Sequence, residues 1–179
     1  MAWILEYAVL LQDLEGIGAL IIRPALSQDK AILWAMLEPV IRAGETYALP
    51  REMSEADALA YWTGPDRETF VAEDDGGPVG TYYLKANQLG GGAHIANCGY
   101  VTAPHATGRG VARRMCTHSL ALAQQRGFKA MQFNLVVSTN IAAVHLWHSL
   151  GFESVGRLPG AFLHPKSGYV DALVMFKVL

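Results

Sequence analysis

Apolar and polar positions along the chain change period several times, and each change marks an element. "ALIIRP" at Ala19 to Pro24 predicts a short strand, and Ser27 to Asp29 supply N-cap chemistry for the apolar helical run "AILWAMLEPVIRAG". "ETYALP" is a loop, "SEADALAYW" a short helix with Ser54 as its cap, and "ETFVAEDDGGPVGTYYLKAN" a hairpin turning at Asp75-Gly76-Gly77. After the glycine-rich loop "QLGGGA", "HIANCGYVTAP" alternates poorly, as a central strand covered on both faces should. Val111, Met115 and Leu122 recur at near-helical spacing, which predicts an amphipathic helix over 109–126 ending at Gly127. "KAMQFNLVV" is a further apolar strand, "STN" caps a helix that Gly151 stops, and "FESVGRL" and "YVDALVMFKVL" close the chain as strands. Strands interleaved with helices indicate a mixed α/β sheet in one layered domain.

Composition agrees with a folded domain: 179 residues, 51% hydrophobic and 17% charged, with a mean hydropathy of +0.19. A net charge of -2 supplies no positive field for nucleic acid, so any basic site must be local. Cys98 and Cys116 lack metal-ligand spacing, as do the six scattered histidines, and no metal is expected. Buried free thiols and the absence of a secretory signal point to the cytoplasm. The start "MAWILEYAVLL" has no basic n-region and meets Asp13 and Glu15 before reaching a membrane-spanning length. Residues 1–17 are therefore expected to form an N-terminal apolar extension, a docked helix or an upstream segment, with the domain proper over 18–179 and no membrane partner.

"HATGRGVARRM", residues 105–115, carries the first chemical signal. A glycine turn between a strand and a helix presents unpaired backbone N–H groups and the positive end of the helix dipole at one point. Arg109, Arg113 and Arg114 add local charge, so the turn is an anion site. A P-loop needs Gly-Lys-Ser/Thr, and here Val111 and Ala112 follow Gly110; a dinucleotide turn needs a third glycine where Arg113 stands, and a later acid that "KAMQFNLVV" lacks.

A second motif, "NIAAVHLWHSLGF", follows at a fixed separation. Together the two resemble the GNAT superfamily of N-acetyltransferases. Thr107, Gly108, Arg109, Gly110, Val111 and Ala112 match its acyl-CoA turn, with Thr107 replacing the usual Arg or Gln. Asn140, Ala143, Leu146, Trp147, Gly151 and Phe152 match its second motif. The resemblance covers about residues 18–179. It implies an α/β GNAT fold with a mixed central sheet of about six to seven strands, a splay between two parallel central strands, helices on both faces, and acetyl-CoA as cosubstrate. The pantetheine arm would pair with backbone groups of Tyr100, Val101 and Thr102, and the pyrophosphate would land on the amides of Gly108 to Arg113. Asn140 would either contact the cosubstrate or serve as a plain N-cap.

Acetyl transfer needs a neutral amine, polarisation of the thioester carbonyl and a tolerable leaving thiolate. A backbone N–H near Val101 or Thr102 could polarise the carbonyl. Trp147 stands where many family members place a tyrosine acid, so it is expected to pack against the thioester arm, and either another group protonates the sulfur or CoA leaves as thiolate. Glu45, His94 and His118 are the visible base candidates. Glu45 lies in the loop where the family forms its acceptor pocket, and otherwise reads as a solvated loop acid. Asn97 and Asn134 are disfavoured inside apolar strands. They either satisfy backbone groups at the splay or a bulge, or face the acceptor from the two walls of the gap.

The segments "FNLVVSTN", "GRLPGAF" and "GYVDALVMFK" resemble the yeast-type acetyltransferases that detoxify proline analogues such as azetidine-2-carboxylate, and more distantly the phosphinothricin acetyltransferases. In the former, asparagines matching Asn97 and Asn134 contact substrate and the one matching Asn140 approaches CoA. The resemblance implies a small amino- or imino-acid acceptor attacked directly, and a possible homodimer. A peptide N-acetyltransferase and a non-catalytic acyl-CoA-binding module remain as alternatives.

Overall fold

A computed structural model describes residues 20–179; the expected extension over 1–17 lies outside the described residues. The elements in chain order are β1 (Ile21–Pro24), α1 (Lys30–Ala43), α2 (Glu55–Trp62), β2 (Arg67–Asp74), β3 (Gly77–Ala86), β4 (Ile95–Thr102), α3 (Val111–Gln125), β5 (Ala130–Val137), α4 (Ile141–Ser149), β6 (Glu153–His164) and β7 (Gly168–Val178). Seven strands form one mixed sheet in the order β1-β2-β3-β4-β5-β7-β6. Every neighbouring pair is antiparallel except β4 and β5, so the expected parallel central pair is present.

Side chains alternate across β3, and this sorts the helices into two layers. Thr81 and Tyr83 meet Trp62 of α2. Tyr82, between them, meets His118 of α3. Leu33, Met36, Leu37 and Ile41 of α1 bury one stripe against the first face. Val111, Met115, Cys116, Ser119, Leu122 and Ala123 of α3 bury another on the second. Both cysteines are free and buried. Polar groups in the first layer are paired in series: Trp62 Nε1 donates to Thr81 Oγ1 at 3.0 Å, and that hydroxyl donates to the Phe70 carbonyl at 2.8 Å.

Local chemistry sets the boundaries. Ser54 Oγ accepts the Asp57 N–H at 3.1 Å and starts α2. Asp74 Oδ1 accepts the Gly76 N–H at 2.8 Å and closes the β2–β3 hairpin. The entry to α1 differs from expectation. Ser27–Asp29 form a 3₁₀ turn, and Asp29, instead of capping α1, accepts from Leu26 N and from both Nη atoms of Arg23. Arg23 also holds Glu73, which ties β1 to β2 and to the start of the first helix. The last hairpin is longer than the pattern predicts, since β6 continues through Pro159 and Gly160 to His164. Among the described residues no helix is long and apolar enough to cross a membrane.

Candidate active site

The parallel ladder between β4 and β5 ends almost where it begins. Only Ile95↔Ala130 and Ala96↔Met131 pair, with Lys129 N donating to His94 O at 2.9 Å beneath them. Beyond that point the strands part. Trp147 of α4 lies under the opening as a wedge, with its ring 5.2 Å from Tyr100 of β4 and 5.1 Å from Phe133 of β5. Phe133 stacks on Phe152 at 4.3 Å, and the Tyr100 hydroxyl is bonded to Ser119 Oγ of α3 at 2.7 Å. A register shift in β5 between Phe133 and Val136 bends that strand away.

Backbone direction along β4 follows from three bonds. His94 O points to β5, Ile95 O accepts Asn87 N at 2.7 Å on the β3 side, and Ala103 N donates to Val79 O at 2.9 Å on that side. By alternation, Tyr100 and Thr102 turn their N–H and C=O groups into the gap, while Val101 turns its own to β3.

The turn after β4 leaves the first amides of α3 without helical acceptors. Gly108 at φ 81° and Gly110 at φ 74° occupy the left-handed region that favours glycine. Gly110 is the N-cap residue of α3 and contributes no side chain. The first bond into the helix runs from Arg114 N to Gly110 O at 3.1 Å, so the amides of Val111, Ala112 and Arg113 have no helical acceptor. Arg109 bonds Asp74 at 2.5 Å and Arg113 reaches Ser149 Oγ of α4 at 2.8 Å; these bonds pin the turn to the β2–β3 hairpin and to α4. Thr107 is exposed and extended, just ahead of Gly108. Asn140 caps α4, its Oδ1 accepting the Ala143 N–H at 3.1 Å.

On the opposite mouth of the gap, facing α1 and α2, stand the two strand asparagines. Asn97 is buried and donates Nδ2 to the Gln132 carbonyl at 2.9 Å, across the point where the strands part. Asn134 is exposed at the β5 bulge, donates to Asn87 Oδ1 at 2.6 Å and accepts from Gln132 Nε2 at 2.8 Å. Tyr47, from the loop between α1 and α2, donates its hydroxyl to the gap-facing carbonyl of Tyr100 at 2.9 Å. Burial raises the Tyr47 phenol well above its ordinary range, so it stays protonated. Glu45, in the same loop, is paired with Lys166 from the tip of the β6–β7 hairpin at 2.6 Å. That ammonium holds the Glu45 carboxyl below the usual range, which weakens it as a base. His94 is exposed at the closed end of the gap. His118 lies on the other side of the sheet against Tyr82, and burial lowers its pKa. The structure therefore brings Asn97, Asn134 and Tyr47 to one mouth, sets Glu45 at its rim, and keeps His118 away.

The model of the acetyltransferase (GNAT) family matches residues 34–152, the span that holds the turn, the gap and the Trp147 wedge. The chain belongs to the GNAT acetyltransferase family. The N-acetyltransferase aca1 of Schizosaccharomyces pombe is 30% identical over 151 residues, 75% of this chain and 72% of that protein. A GCN5-related N-acetyltransferase from Kribbella flavida superposes with a TM-score of 0.85 at 41% identity, covering 89% of this chain and 98% of its own. A phosphinothricin acetyltransferase from Sinorhizobium meliloti, solved with acetyl-CoA, shares the fold at a TM-score of 0.77 and 21% identity, over 88% and 87% of the two chains.

As a GNAT acetyltransferase, the protein takes its acetyl group from acetyl-CoA. The unpaired amides of α3 and the left-handed glycines suit the pyrophosphate. The edge-facing groups of Tyr100 and Thr102 offer an added strand its hydrogen bonds. Both thiols are buried. Burial pushes Cys116 up to about 12 and Cys98 further still, which disfavours the thiolate at both. Sequence reasoning missed Tyr47, Asn87 and Gln132. A tyrosine two positions after Glu45 was the available signal for the first; the other two act through partners distant in sequence.

Proposed function

We propose that this acetyltransferase acetylates the amine of a small amino or imino acid, of the proline-analogue type, by direct attack on the thioester. The carrying observation is the amide wall at the α1/α2 mouth of the gap, where Asn97, Asn134, Asn87 and Gln132 are joined by hydrogen bonds of 2.6 to 2.9 Å. Neutral amides hold an amine without the strong charge preference that Asp imposes. In this reading Asn97 and Asn134 bind the acceptor, Glu45 and its loop border the pocket, and Thr107 to Arg113, Tyr100, Thr102, Asn140 and Trp147 serve acetyl-CoA. Val101 contributes packing, because its backbone is committed to β3. The closed rim, where Lys166 reaches Glu45, favours a small acceptor over a peptide, which needs an open groove. The role is detoxification in the cytoplasm. A homodimer through the β6–β7 hairpin is supported by the exposed apolar side chains of Val155, Leu163 and Tyr169.

The test is free-thiol release from acetyl-CoA against a panel of proline analogues, amino acids, polyamines and peptide N-termini. Release with the imino acids at low concentration supports the reading. Tight acetyl-CoA binding with no release for any amine overturns it, and release confined to peptides replaces it with the protein-acetylating alternative.

A further inference from the structure

Arg67 opens β2 and pairs in register with Lys85 of β3, which pairs in turn with Asn97 of β4. Residues directly opposite across strands share a face, so Arg67, Lys85 and Asn97 form one row leading from β2 to the α1/α2 mouth of the gap. Two cations in this row share one acid: Asp66 accepts from Arg67 Nε and from Lys85 Nζ, each at 2.8 Å. One positive charge is left over.

The Arg67 side chain is only 10% exposed. Its guanidinium lies 4.9 Å from the centre of the Tyr61 ring and 4.8 Å from that of Tyr83. Aromatic rings answer the charge, but the N–H bonds lie in the guanidinium plane and require oxygen acceptors. Nε and Nη2 find theirs on Asp66. Nη1 is buried with no hydrogen-bond partner, the one such side-chain nitrogen or oxygen among the described residues. A buried charged donor left unpaired is costly, so Nη1 calls for an acceptor supplied by water or by a ligand.

We propose that Arg67 is the anchor for the carboxylate of the acceptor. The proposal rests on the small amino- or imino-acid reading above and deepens it, because a carboxylate becomes a requirement for tight binding. With Nε and one N–H of Nη2 on Asp66, Nη1 is the donor left for a carboxylate, with the second N–H of Nη2 beside it, and the uncompensated charge of the row matches a single anion. Length agrees as well. The backbones of Arg67 and Asn97 are separated by two strand spacings, about 10 Å. An α-amino acid held by hydrogen bonds of about 2.9 Å at amine and carboxylate spans about 9 Å between its protein partners. The half-buried ring of Tyr61 flanks the guanidinium on the α2 side.

The experiment compares azetidine-2-carboxylate with azetidine-2-carboxamide as acceptors for the wild-type chain, R67Q and R67K. The acid is expected to be favoured by the wild type. In R67Q its KM should rise at least tenfold, while the KM for the carboxamide and for acetyl-CoA stay within twofold, and R67K should fall between. Equal losses for acid and amide, or no change for either, overturn the anchor; R67K with a wild-type melting temperature guards against misfolding in R67Q. If no amine releases thiol, the acetyl-transfer reading of the acceptor fails separately, and the anchor is read from equilibrium binding. A rise in wild-type melting temperature with azetidine-2-carboxylate that R67Q abolishes supports it, and equal shifts, or none, in both proteins overturn it.

Discussion

The Tyr47 hydroxyl donates to the Tyr100 carbonyl at 2.9 Å, so a residue of the α1–α2 loop is bonded to the backbone edge of β4 that faces the gap. This single bond ties the acceptor side of the site to the strand edge on which the acetyl-CoA arm is expected to pair. Glu45, two positions earlier, is tied to the β6–β7 hairpin tip by Lys166. The loop is thus held at both its strand side and its rim.

Tyr47→Phe removes the bond and keeps the ring against Trp62. A neutral hydrogen bond of this kind contributes about 1 kcal/mol, so the melting temperature should fall by a few degrees. Steady-state kinetics should show a rise in acceptor KM larger than any change in acetyl-CoA KM. Equal rises would mean that the hydroxyl serves the strand edge as a whole rather than the loop.

Gly99 is the second fixed point on that mouth. A Cβ there would lie 2.6 Å from Tyr83 Cε1 and 3.0 Å from the Tyr47 hydroxyl. Overpacking of this kind costs typically about 1–3 kcal/mol. Gly99→Ala is therefore expected to lower stability and displace the tyrosines, with acceptor turnover falling while the turn at 107–113 keeps its affinity for CoA. Urea unfolding and CoA titration on the same variant separate the two effects.

Local chemistry was legible in the sequence, and long-range pairing was not. The hairpin at Asp75-Gly76-Gly77, the Ser54 cap and the turn glycines Gly108 and Gly110 each declare themselves within a few residues, because the backbone conformation they demand is their own. The partners of the candidate site residues did not. That Asn97 bonds Gln132, that Glu45 bonds Lys166, and that Asp29 serves Arg23 and Leu26 instead of capping α1 depend on which strands and loops become neighbours. Of the two amides in apolar strands, Asn97 meets a backbone carbonyl where the strands part and Asn134 meets only side chains, and no periodicity says which of them faces solvent. Arg67 carried no signal at all until the rings of Tyr61 and Tyr83 were seen around it.

His118 gives the protein a stability slope near neutrality. Burial against Tyr82 and Phe70 lowers its pKa below the ordinary imidazole value. The unfolded chain then binds a proton near pH 6.5 that the folded chain refuses, so the unfolded state holds more protons just below that pH and stability rises with pH through this window. Stability is lost as pH falls below about 6.5. Replacing His118 by Gln should flatten the dependence measured by urea unfolding between about pH 5 and 7, at the cost of the bond to Tyr82.

Asn97 and Asn134 share a mouth but not an environment, and alanine separates their roles. Asn97 is buried, and without it the Gln132 carbonyl at the parting of the strands loses its donor. An unsatisfied buried group costs about 1–3 kcal/mol, so Asn97→Ala should destabilise the fold measurably and reduce turnover with it. Asn134 is exposed, its partners Asn87 and Gln132 are side chains that water can serve, and the bulge that carries it is made by the backbone. Asn134→Ala should therefore leave the melting temperature within a degree or two while turnover with the acceptor falls at least tenfold and acetyl-CoA affinity holds. Equal losses of turnover and acetyl-CoA affinity would instead assign Asn134 to the shape of the gap, since a residue that only holds β5 in its bend serves both substrates alike.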